Sequence, residues 1–103
     1  MKPTEYTEEE VRDQFLNYIR EMVDEWDAAN NKTTKEKLNG LAFTILAAID
    51  GNSPDVPSFI LAPFPHEDDK QYKIDNGENY YPDNNGIDVK CDIAGDLHEK
   101  FYK

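Results

Sequence analysis

Both histidines stand among carboxylates, in Pro65-His66-Glu67-Asp68-Asp69 and in Asp96-Leu97-His98-Glu99. Imidazole nitrogen and carboxylate oxygen are the donors of a divalent-metal site, and three such ligands with one open position can activate water for hydrolysis. His66, Asp68 and Asp69 are the candidate ligands. If residues 66–76 are helical, His66 and Asp69 share a face, which gives two ligands. The spacing matches no standard metal loop, and neither an HExxH nor a CxxC pair occurs. The plainer reading is a helix whose first-turn acids complement its dipole. A weak metal-dependent hydrolase using His66 and nearby carboxylates is therefore the alternative function, and no cofactor is expected.

Other catalytic chemistry has less to stand on. Ser53 and Ser58, the only serines, lie in a proline-rich stretch outside any nucleophile-elbow pattern. The five glycines are scattered and make no phosphate-cradling loop. Cys91 is the only cysteine, so no intramolecular disulfide forms. Its neighbours Lys90 and Asp92 give no case for an activated thiolate, which leaves a packed or idle side chain.

Two features suit recognition better than catalysis. Asp13, Asn17, Glu21 and Asp24 repeat every three or four residues, with Glu10 extending the row. On a helix rising ~1.5 Å per residue the row spans about 20 Å, long enough to imitate duplex phosphates or dock on a basic surface. Arg20 interrupts it, and a charge run is usually only a solvated face. The second feature is the set of aromatics and histidine beside prolines, Phe64 and His66 around Pro65 and Tyr80-Tyr81 before Pro82. Such residues on loops are interface anchors or lids over a small core, and sequence favours neither.

These residues are positioned by two well-signalled helices. Thr7 with Glu10, and Thr33 with Glu36, are capping boxes. The first predicts a helix over 7–29, with Val11, Phe15, Leu16, Tyr18, Ile19, Met22, Val23 and Trp26 on one face and the acidic row opposite. The second predicts a helix over 33–50, apolar nearly all round from Leu38 to Ile49, with Ile45 central in the core. Gly40 inside it implies close packing on the first helix, and Asp50-Gly51 ends it. Phe59-Ile60-Leu61 is expected as a short strand between prolines, pairing with a second at Ile87 to Val89. A short helix after Pro65 ends at Asn76-Gly77, and a turn runs from Tyr80 to Gly86. A last helix from about Ile93 carries Ile93, Leu97 and Phe101 as a stripe. The expected fold is α+β, mostly α: two packed N-terminal helices, a short β element and a C-terminal helix in one domain over 1–103.

Charge narrows the function classes. The chain carries 22 acidic and 11 basic residues, a formal net charge of −11. Residues 1–30 hold nine acids and three bases, while residues 31–49 hold one acid and three bases. So negative a surface repels nucleic acid and anionic membranes, because phosphate contacts need Lys and Arg. A basic protein partner is favoured, one that itself handles nucleic acid included. The longest apolar stretch, Leu41 to Ile49, is far below the ~20 residues of a membrane span. The acidic beginning, MKPTEYTEEE, is unlike a secretory signal, so the cytoplasm is the expected compartment.

Several segments also resemble a family of small bacterial proteins, some of them phage- or prophage-associated. They are Leu38-Asn39-Gly40-Leu41-Ala42-Phe43, Ile49-Asp50-Gly51, Pro65-His66-Glu67-Asp68-Asp69-Lys70, Gly77-Glu78-Asn79-Tyr80-Tyr81-Pro82 and Leu97-His98-Glu99-Lys100-Phe101-Tyr102. The similarity runs from about residue 11 onwards. It implies a bacterial or phage setting, favours an inhibitor or immunity role, and brings no assigned residue with it. The leading expectation is a non-enzymatic protein-binding module, in its sharper form an acidic inhibitor of a basic nucleic-acid-handling protein. Asp13, Asn17, Glu21, Asp24, Phe64, His66, Tyr80 and Tyr81 would make its partner surface.

Overall fold

The computed structural model describes residues 3–84 and 86–102. Four helices follow one another: α1 (Glu8–Asp27), α2 (Thr34–Ile49), α3 (Asp69–Asp75) and α4 (Leu97–Lys100). Both predicted capping boxes form. Thr7 Oγ1 accepts the Glu10 N–H at 3.1 Å while Glu10 Oε1 accepts the Thr7 N–H at 3.0 Å. Thr33 and Glu36 repeat the pattern at 3.1 and 2.9 Å. Each box satisfies two groups at a helix start, where backbone donors otherwise lack partners.

The short 28–33 connection, turned by Asn31 at φ 62°, folds α2 back along α1. Trp26 lies across Gly40 and donates from Nε1 to Thr44 Oγ1 at 3.0 Å. A Cβ at residue 40 would stand 2.5 Å from Trp26 Cζ3, so the expected close packing at this glycine is present. Lys37 Nζ donates to the Asp27 carbonyl at 2.8 Å and so ties the start of α2 to the end of α1.

The core is small. Among the described residues Tyr18, Ala48 and Val56 are buried and apolar, with Met22 and Phe59 packed against them. Phe15 meets Phe59 edge to face at 5.0 Å between ring centroids. Gly51, at φ 92°, turns the chain so that Phe59 N–H donates to the Ile49 carbonyl at 3.0 Å. That turn brings Val56, from a proline-rich coil, into the interior. α2 is not the enclosed central helix expected: only Gly40 and Ala48 are buried, and Ile45 is half-buried.

The expected β element is absent, and the fold is helices joined by coil among the described residues. The reason lies in what Phe59-Ile60-Leu61 meets. Leu61 N–H donates to the Asp92 carboxylate at 3.0 Å and the Leu61 carbonyl accepts from Ile93 N–H at 2.8 Å. A side-chain oxygen thus takes one position where a ladder would continue, and Pro57 and Pro63 on either side have no N–H to extend it. Ile87 is 92% exposed and is not laid on a sheet face.

The last helix is also shorter than expected. Gly95 at φ 120° interrupts the backbone, so Ile93 lies outside and α4 begins at Leu97. Cys91, expected packed or idle, is exposed, at φ 61°. The turn expected over 80–86 includes Asn85, and the N-terminal reading includes Met1 and Lys2, which lie outside the described residues. No helix among the described residues is long and apolar enough to cross a membrane. The chain spreads into a slab of 53 × 47 × 19 Å with a Cα radius of gyration of 17.7 Å. A compact domain of this length has about 13 Å.

Candidate functional site

Two places gather polar groups. The first joins the end of α2 to the C-terminal segment. Asp50, which follows α2, has a fully covered side chain. Its Oδ1 accepts the Gly95 N–H at 2.5 Å, and its Oδ2 accepts the His98 N–H at 2.8 Å and His98 Nδ1 at 2.5 Å. On the far side of the ring, His98 Nε2 lies 2.8 Å from Asn52 Nδ2. An amide nitrogen only donates, so Nε2 is the acceptor and Nδ1 carries the proton given to Asp50. Phe43 packs edge-on to the imidazole at 5.6 Å and stacks on Tyr102 at 5.6 Å.

Burial alone would raise the Asp50 pKa. Hydrogen bonds from the His98 ring and from the backbone N–H groups of His98, Gly95 and Leu97 outweigh it and hold the group at about 2. The carboxylate is therefore ionised at neutral pH. An Asp–His pair is also the orienting half of a nucleophilic site. Here Asn52 occupies the Nε2 that would take a substrate proton, and the imidazole is nearly covered. The arrangement is a clasp that fastens α4 to α2.

The second place is an open cleft of about 720 Å³ lined by Phe64, Pro65, His66, Glu67, Asp83 and Asn84. Asn84 builds its far wall: Nδ2 donates to the Pro63 carbonyl at 2.6 Å, and Oδ1 accepts the Lys90 N–H at 2.6 Å. Phe64 is 78% exposed at the rim. Tyr80 lies under Lys70 Nζ, 5.3 Å from the ring centroid, and Tyr81 is 59% exposed. Of the eight expected recognition residues, the structure places Phe64 and His66 in one cleft. Asp13, Asn17, Glu21 and Asp24 are exposed on α1. The cleft is lined by residues 64–67, 83 and 84 and by none of α1, so the acidic row and the cleft are separate features.

The expected metal ligands are rearranged. His66, Glu67 and Asp68 bring one donor atom each within 4.8 Å of one another, all exposed, while Asp69 is the first residue of α3 and outside this group. His66 Nδ1 already accepts the Asp68 N–H at 3.2 Å, which is the hydrogen bonding of a turn entering a helix. The Asp50–His98 clasp was not legible as a pair, because its members lie 48 residues apart. The only local signal was a carboxylate directly after a helix end.

No protein-family model matches the chain, and no curated protein or solved structure matches it.

Proposed function

We propose that this protein is a non-enzymatic binding module that takes a basic protein partner on the open loop surface of the 63–67 and 80–84 segments, with Phe64 in the cleft between them and Tyr80 and Tyr81 exposed on the second segment. One observation carries the reading: the loop aromatics are open instead of folded over the core. Phe64 is 78% exposed, Tyr80 50% and Tyr81 59%. A lid would have buried these rings, and interface energy concentrates on aromatic side chains desolvated in a partner's pocket. The cleft walls add His66, Glu67 and Asp83, and the whole chain carries a net charge of −11, which steers a cationic partner.

The sharper form is inhibition of a basic nucleic-acid-handling protein in the cytoplasm, with Asp13, Glu21 and Asp24 as steering charges. The row is an incomplete imitation of phosphates, because Arg20 lies within it and donates to Asn17 Oδ1 at 2.8 Å. The aromatics are therefore the anchor, and the carboxylates govern approach.

The test begins with partner capture from the native host and continues with binding titrations of the captured protein. Phe64→Ala with Tyr81→Ala is expected to weaken binding at least tenfold. Glu21→Lys with Asp24→Lys is expected to slow association and flatten its salt dependence. Binding that ignores the aromatic substitutions and is flat from about 50 to 500 mM salt would refute the reading.

A further inference from the structure

The helical hairpin leaves one side uncovered. Along α2, at about 100° per residue, Gly40 and Thr44 mark the side taken by Trp26 of α1. Phe43 marks the side taken by His98 and Tyr102. Leu38, Leu41 and Ile45 fall in the remaining arc, where Leu38 is 62% exposed and the other two are half-buried. On α1, Phe15, Tyr18 and Met22 face the core, and Leu16, Ile19 and Val23 project about a quarter-turn away from them. Leu16 is 40% and Val23 43% exposed. Because the helices run antiparallel, the two stripes emerge on the same side of the hairpin. Phe59 covers that side against Phe15, near the start of α1, and Val56 packs with Tyr18 and Ala48, while Leu16, Val23 and Leu38 stay exposed.

We infer that a second copy of this chain covers this face, forming a dimer in which four helices share one core. Three observations select that occupant. The first is area. The chain exposes 8339 Å² at 11.9 kDa. A compact monomer of that mass exposes roughly 5,950 Å², and a stable interface takes about 800 Å² from each partner, so the chain as a whole leaves open more surface than one such interface covers.

The second is spacing. Leu16-Ile19-Val23 and Leu38-Leu41-Ile45 step by three and four residues, the pattern by which helix packs on helix in bundles. The occupant is accordingly helical. Among the described residues the buried apolar core is only Tyr18, Ala48 and Val56, so covering the open face adds apolar burial that the single chain lacks. A second copy is the helical occupant that always accompanies the chain, and mass action sets how much of it is bound.

The third is charge. α1 carries eight acids and two bases, whereas α2 carries two bases and one acid. A two-fold axis parallel to the helices sets each α1 on the partner copy's α2 and avoids placing acidic α1 on acidic α1. The acidic row around Asp13, Glu21 and Asp24 then stays outside, on the arc away from both apolar stripes. This inference stands apart from the binding cleft, which uses neither stripe.

Sedimentation velocity on the full chain from about 1 to 100 µM tests it, because stable interfaces of this size hold in the micromolar range or tighter. The expected species is twice 11.9 kDa. Val23→Glu with Leu38→Glu, both on the open side and outside the buried core, is expected to give the 11.9 kDa monomer with helical circular dichroism retained. Should that pair unfold, Leu38→Asn alone is expected to raise the dimer–monomer midpoint at least tenfold. A wild-type monomer throughout, a species of any other mass, or a dimer indifferent to these substitutions overturns the inference.

Discussion

Asp50→Ala tests how the C-terminal segment is held. The substitution removes an ionised carboxylate whose side chain is fully covered and which accepts from Gly95 N–H, His98 N–H and His98 Nδ1–H. A buried donor left without a partner costs about 1–3 kcal/mol. The Gly95 bond is solvent-exposed, so water can replace it cheaply; the two from His98 are partly buried. Two orphaned donors at that cost give about 2–6 kcal/mol, and the middle of that range, about 3–4 kcal/mol, agrees with breaking a buried pair. With a urea slope near 2 kcal/mol per molar, the unfolding midpoint falls by about 1.5–2 M. Asn is no rescue, because its amide nitrogen presents donors to donors. Amide exchange at Gly95 and His98 should quicken before the rest of the chain, since α4 is held by this clasp. A loss under ~1 kcal/mol, or exchange at those amides unchanged, would refute the assignment of the clasp as a structural fastening.

Other expectations follow from the same geometry. Asp50 is depressed from 3.8 to about 2, so its contribution to stability is full above the unfolded value and is lost as pH falls through about 2. Acid titration of wild type against Asp50→Ala should show the two curves converging below pH 4, and parallel curves would contradict it. Gly40→Ala gains up to ~1 kcal/mol of helix propensity but drives a methyl into the Trp26 ring, an overpacking cost of about 1–3 kcal/mol. Net destabilisation with a shifted Trp26 fluorescence is expected, and a stabilised variant would mean the ring moves aside freely. Thr33→Ala removes the cap of α2 and should cost ~1 kcal/mol in urea denaturation. Thr7→Ala should cost a similar amount at α1.

The parts of this protein that were legible in its sequence are those governed by neighbours three or four residues apart. Thr7–Glu10 and Thr33–Glu36 each bring donor and acceptor together inside one turn, so residue type and spacing are enough to place α1 and α2. Gly40 was legible for a related reason: a costly residue in a helix interior requires a neighbour that needs the space, and Trp26 is that neighbour. For Phe64, Tyr80 and Tyr81 the sequence offered lid and anchor alike, and their exposure depended on where the coil carried them.

Tertiary structure decided everything that joins distant positions. Phe59-Ile60-Leu61 has strand-forming residues, yet strand pairing needs a partner ladder, and Asp92 with Ile93 supplied two bonds in place of one. Val56 entered the core because Gly51 turned the chain beneath Ala48, which no local pattern signals. Asp50 and His98 met for the same reason, with coil and short helix looping over a separation of 46 residues between Asn52 and that imidazole. Local sequence sets dihedral preference, hydrogen-bonding reach and which face of a helix is apolar. Which apolar face is covered, and by what, is settled only when separate segments compete for the same surface. Here α2 is apolar nearly all round, but the chain's own segments cover only part of it.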